Sequence, residues 1–243
     1  MKGTTDLSEF LTPTKFIDSD SDSIKAFANQ AIAGAKTDKE KAIKLYYAVR
    51  DAIRYDPYKL QPGEEHFIAS NILVSESNYC IPKAVLLTAC ARSVGIPAQL
   101  GFSDVRNHLS TQKLLDLLET DVFMWHGYSV LYLEGKWVKA TPAFNIEMCT
   151  RFGVKPLEFN GVDDSFMHEF NEQDKKHMEY LTDYGFFADL PHERIITSLK
   201  SSYPKFFALV ENNKSEVVPL IRTTCLGVIF PVNHAAINGM MVS

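Results

Sequence analysis

Cys80 and His126 are the two side chains placed to do chemistry together. Cys80 opens the run Cys80-Ile81-Pro82-Lys83-Ala84-Val85-Leu86-Leu87-Thr88-Ala89-Cys90. At the start of a helix, unpaired backbone N–H groups and the positive end of the macrodipole favour a thiolate. His126, in Met124-Trp125-His126-Gly127-Tyr128, carries an imidazole able to take the thiol proton as general base and return it to a leaving group as general acid. Each placement alone has an ordinary explanation, since a buried cysteine is more often a small hydrophobe. Their order and setting, a helix-start Cys followed by a strand and then a His on a strand, make the pair more than that.

The elements that must position these residues are legible in outline. Ile24, Phe27, Ala28, Ala31 and Ile32 recur at helical spacing within Ser21 to Ala35, and predict a short amphipathic helix. Thr37-Asp38-Lys39-Glu40 is a capping box ahead of a second helix, about Asp38 to Ile53. Ser or Asn before Cys80, Pro82 in the first turn and Gly95 after a basic last turn bound the Cys80 helix, which is apolar almost all round and so central. Ile96 to Phe102 alternates as a strand does, and Ser110 is placed to cap a helix through Leu118. Val122 to Leu133 and Lys136 to Ala140 form strands joined by Glu134-Gly135, the spacing of a two-residue hairpin loop. The pattern from Asp164 to Tyr180 reads as helical. The apolar, β-prone tail, Leu226 to Val232, reads as an edge strand. Residues 1–195 are expected to form one domain with N-terminal helices, and 196–243 an extension packed on it.

Composition narrows the function. Thirty acidic against twenty-five basic residues give a net charge of −5. No run of five Lys or Arg is present, so neither nucleic acid nor an anionic membrane is expected as partner. Four cysteines without a C-x-x-C pair argue against structural zinc or a disulfide scaffold. Neither a leader pattern nor an 18-residue apolar stretch is visible, so the expectation is a cytoplasmic protein without metal or cofactor.

The residues also carry a family resemblance. Tyr79-Cys80-Ile81-Pro82-Lys83-Ala84, with Leu86-Leu87-Thr88-Ala89 and Arg92-Ser93-Val94-Gly95-Ile96-Pro97-Ala98, resembles the cysteine segment of the transglutaminase-like superfamily. Trp125-His126-Gly127-Tyr128 and Gly135-Lys136-Trp137-Val138-Lys139-Ala140-Thr141-Pro142 resemble its histidine strand and the strand after it, the likeness running from about Arg54 to Asn145. The resemblance implies an α+β, papain-like fold with the Cys helix packed on an antiparallel sheet. It implies attack on an amide or thioester carbonyl, an acyl-thioester, and transfer of the acyl group to an amine or water. By position Cys80 is then the nucleophile and His126 the base and acid.

The third position departs from the family, because Thr141 stands where Asp is usual ahead of Pro. Hairpin geometry makes Thr141 a diagonal neighbour of His126, and a hydroxyl can still orient the ring, more weakly than a carboxylate. Asn145 is the rival, since an amide oxygen serves as orienter in papain-like proteases. Asp104-Val105-Arg106-Asn107-His108 follows a strand and offers an acid, a base and an amide able to line a substrate cleft, with Asp104 and His108 the leading candidate substrate contacts beside Trp125. A solvated loop is the favoured reading of that run, and core packing explains Trp125 and Trp137 equally well. His168 and His177 read as surface residues, and Cys90 as core. The leading expectation is a cysteine hydrolase or acyltransferase acting on a peptide, protein or small amide or thioester. The alternative is a catalytically weak or inactive binding module on the same fold. Calcium-dependent crosslinking is disfavoured, because no compact acidic calcium loop is present.

Overall fold

The computed structural model describes residues 6–108, 110–166 and 178–212; His168, His177 and the tail from Leu226 lie outside them. The chain divides into two compact units, Met1–Phe206 and Phe207–Ser243. The architecture of the first unit is α+β, with helices packed on an antiparallel sheet.

Helix α1 (Asp22–Ala31) buries Ile24 and Ala28. Helix α2 (Asp38–Ala52) starts at the expected capping box: the Glu40 N–H donates to Thr37 Oγ1 at 3.2 Å, and the Thr37 N–H to Glu40 Oε2 at 3.2 Å. Strand β1 (Arg54–Tyr55), helix α3 (Ala69–Leu73) and strand β2 (Ser77–Asn78) follow, with β1 and β2 pairing in parallel.

Helix α4 (Cys80–Ser93) is the centre of the unit, and every residue from Ile81 to Arg92 is buried. Two cations on it find only carbonyl partners among the described residues. Lys83 Nζ donates to Arg50 O at 2.8 Å and to Ile53 O, tying α4 to the end of α2. Arg92 donates to Ala98 O at 2.9 Å, Thr12 O at 2.7 Å and Ala188 O at 2.6 Å, drawing the nearby strand start at Ala98 and two distant segments onto one helix end. Burial without such bonds would leave both charges uncompensated.

The sheet has the order β5-β4-β3-β6, where β3 is Ala98–Asn107, β4 Val122–Leu133, β5 Lys136–Ala140 and β6 Met178–Phe187. All neighbours run antiparallel. The β4–β5 hairpin turns at Glu134 and Gly135, with φ of 51° and 87°; two left-handed residues match the twist of the flanking strands. Ser129 on β4 donates to Ala84 O of α4 at 2.8 Å and accepts from Thr88 at 3.1 Å, a polar seam between helix and sheet. Helices α5 (Gln112–Leu118), α6 (Ile146–Phe152), α7 (His192–Ser202) and α8 (Pro204–Asn212) complete the described α-helices.

Three local expectations need correction. The stretch from Asp104 continues β3 as far as Asn107 instead of leaving the sheet as a solvated loop. Its period is masked by an irregularity in the ladder between Ser103 and Val105. Residues from Met178 form a strand where a helical pattern was read, because β3 offers them a free edge to pair with. Thr111, not Ser110, caps α5, accepting from the Leu114 N–H at 3.4 Å.

Candidate active site

Cys80 is the first residue of α4, and no side chain caps that end. The backbone N–H groups of Cys80, Ile81 and Gly127 approach its sulfur and favour the thiolate, yet burial outweighs them and pushes the thiol up to about 11. The helix end therefore does not by itself ionise Cys80, as its position in the sequence suggested. Gly127 explains how strand and helix come so close. A Cβ there would lie 2.9 Å from Ile81 Cα, so the backbones of β4 and of the first turn of α4 touch, and only glycine leaves room.

His126 precedes that glycine and pairs with Ser103 of β3. It is 4% exposed, and its Nε2 is buried without a hydrogen-bond partner among the described residues. Burial lowers its pKa to about 4, so the resting imidazole is neutral at physiological pH. Cys80 and His126 line one cavity of about 50 Å³, together with Tyr55, Tyr79, Asn107 and Phe123. Among the described residues no charged side chain lines it. The Tyr79 hydroxyl is likewise buried without a partner among the described residues, a polar group that the sequence did not single out, whereas Asn107, which also lines the cavity, is the amide of the Asp104–His108 run. Gly127 was the legible signal, a glycine inside a strand marking close backbone approach.

The other expected site residues lie elsewhere or are engaged elsewhere. The Thr141 hydroxyl donates to Phe166 O at 3.3 Å, and its N–H to Ser165 O at 2.8 Å. Asn145 accepts from the Tyr55 N–H at 2.9 Å and donates to Glu147, joining β1 to the start of α6. Neither lines the cavity. Asp104 is 5% exposed and accepts from the Trp125 N–H at 3.0 Å and the Tyr184 hydroxyl at 2.8 Å. Trp125 is stacked on Tyr184, with centroids 3.9 Å apart. His108 lies 3.5 Å from Glu179. None of these three borders the cavity either. Cys90 is fully buried core, as expected, and Cys149 is buried in a cluster that Cys80 borders.

Residues 25–142 match the family model described as the Transglutaminase-like superfamily. This stretch of the chain belongs to that superfamily. The matched segment holds both Cys80 and His126. Among solved structures, a protein of Cytophaga hutchinsonii assigned provisionally as a cysteine protease has a TM-score of 0.46 at 14% identity, over 76% of this chain and 55% of its own. A protein of Parabacteroides distasonis assigned provisionally as a protease has a TM-score of 0.36 at 15% identity, over 55% and 25%. The chain thus spans about half and a quarter of their lengths. The comparison with curated proteins finds no match. No helix among the described residues is long and apolar enough to cross a membrane.

Proposed function

We propose that the protein is a cysteine-dependent acyl-transfer or amide-hydrolysing enzyme in which Cys80 is the nucleophile and His126 the general base and acid. The observation that carries this is that both line one cavity, without a charged side chain on it among the described residues, within the segment that matches the superfamily. Thiol and imidazole rest neutral, so the proton moves only as the sulfur attacks. The S–C bond forms as His126 takes the thiol proton. The tetrahedral adduct then collapses, the imidazolium hands that proton to the departing amine or thiol, and an acyl-thioester remains. Water or an amine next attacks the thioester carbonyl, losing its proton to His126, and Cys80 is restored as the thiol. The substrate is a peptide, protein or small amide or thioester.

4-Nitrophenyl acetate tests this, because its small acyl group suits a cavity of about 50 Å³. The expected result is a burst of nitrophenolate equal to the protein concentration and an acetyl group on the peptide that carries Cys80. Cys80→Ala should abolish the burst, and His126→Ala should slow it by roughly a hundredfold or more. A burst that survives in Cys80→Ala sinks the reading. An added amine that speeds turnover marks transfer; turnover indifferent to amines marks hydrolysis.

One observation favours a second reading, a catalytically weak or silent binding module. No carboxylate stands at position 141, and the Thr141 hydroxyl is turned to Phe166 O. Absence of any burst in the intact chain would support that alternative.

A further inference from the structure

The residue before His126 has a backbone conformation that its side chain disfavours. Trp125 has a φ of +58°, a left-handed state in which a bulky residue is an outlier. The register explains what this bend does. Ser103 pairs with His126 and Val105 with Phe123, so the single residue Asp104 on β3 faces the two residues Met124 and Trp125 on β4. This is a β-bulge, a device that re-aims the side chain beside it. Phe123 and His126 are three apart and would point to opposite faces of a regular strand. The extra residue brings them to one side, and both line the cavity that holds Cys80.

Side chains replace the ladder at this bulge. The Trp125 N–H donates to Asp104 Oδ1 at 3.0 Å, and Asp104 Oδ2 accepts from the Tyr184 hydroxyl at 2.8 Å. The Tyr184 ring lies parallel to the Trp125 indole, 1° from coplanar and 3.9 Å away. The Met124 N–H donates to the Tyr203 hydroxyl at 2.6 Å, which donates in turn to Val122 O at 3.0 Å. Backbone strain persists only where its surroundings hold it in place, and Asp104 is the acceptor that holds this one.

We propose that Asp104 is a positioning residue for His126: by accepting the Trp125 N–H it maintains the left-handed bend that turns the imidazole into the cavity of Cys80. This rests on the reading of Cys80 and His126 as nucleophile and base. Asp104 touches neither the thiol nor a substrate, and it acts through the backbone of Trp125.

The test is the rate of Cys80 acetylation by 4-nitrophenyl acetate in a double-mutant cycle, with folding checked by circular dichroism. Asp104→Ala should slow the burst by roughly tenfold to a hundredfold, the scale of a misplaced catalytic group. Asp104→Asn, which keeps an oxygen for the Trp125 N–H, should recover most of that loss. In a His126→Ala background Asp104→Ala should cause no further slowing, since there is no ring left to aim. A folded Asp104→Ala within twofold of the parent overturns the proposal, and so does an equal slowing in both backgrounds, which would mark general loosening. If Asp104→Ala does not fold, Tyr184→Phe replaces it, losing only the hydroxyl on Asp104 while keeping the stacked ring; an unchanged rate there overturns the proposal as well. Should His126→Ala alone leave the burst unchanged, the base assignment itself falls and takes this proposal with it.

Discussion

At the scale of single residues, burial decides the state of the proposed reacting pair. Desolvation holds His126 at about 4 against its ordinary 6.5 and Cys80 at about 11 against 9.0. The acylation rate should therefore be flat through neutral pH, with its acid limb near 4; a limb at the ordinary histidine value would contradict this environment. The same shift acts on stability. Between about 4 and 6.5 the unfolded chain binds a proton at His126 that the folded chain does not, so stability falls as pH drops through that window. Urea unfolding at several pH values should show a shallower loss in His126→Gln. Cys90 is the contrast, fully buried within α4. Cys90→Ala should cost about 1–2 kcal/mol in unfolding free energy and leave the burst intact, while Cys80→Ala does the reverse.

At the scale of elements, the site depends on how β4 and α4 meet. Gly127→Ala puts a methyl 2.9 Å from the Ile81 backbone, which cannot swing aside as a side chain can. The variant should lose about 1–3 kcal/mol of stability and lose acylation more completely than its stability loss explains; melting curves alongside burst rates test this. The joint between α2 and α4 makes a different prediction. Burial lowers Lys83 from 10.5 to about 7. Above that value the unfolded chain keeps a proton that the folded chain has lost, so stability should rise with pH by roughly 1.4 kcal/mol per unit between 7 and 9. Above 9 the raised thiols of Cys80 and Cys149 oppose the trend. Lys83→Met should abolish the rise, as denaturant titrations at both ends of the window would report.

At the scale of the whole unit, Arg92 links parts far apart in sequence. Its guanidinium reaches carbonyls in the N-terminal segment, at the start of β3 and just beyond β6. An ammonium lacks that planar fork and cannot span the three. Arg92→Lys should cost about 2–3 kcal/mol, seen as a lower melting temperature, with faster amide exchange around Thr12 and Ala188 before global unfolding.

How much of this was legible varies with the range of the interaction. The capping box at Thr37 and Glu40, the hairpin turn at Glu134-Gly135 and the all-round apolar α4 are written in a few neighbouring residues, because caps, turn dihedrals and helical period act locally. The order of Cys80 and His126 and the superfamily core were legible for the same reason: short runs of sequence carry them. The strand β6, the continuation of β3 through Asn107 and the bulge at Trp125 were not, since each exists only by virtue of a partner strand brought there by the fold. Nor could the chain alone say that Thr141 turns to Phe166, or that Cys80 and His126 rest neutral. Hydrogen-bond partners and desolvation are set by atoms distant along the chain, and only tertiary structure brings them together.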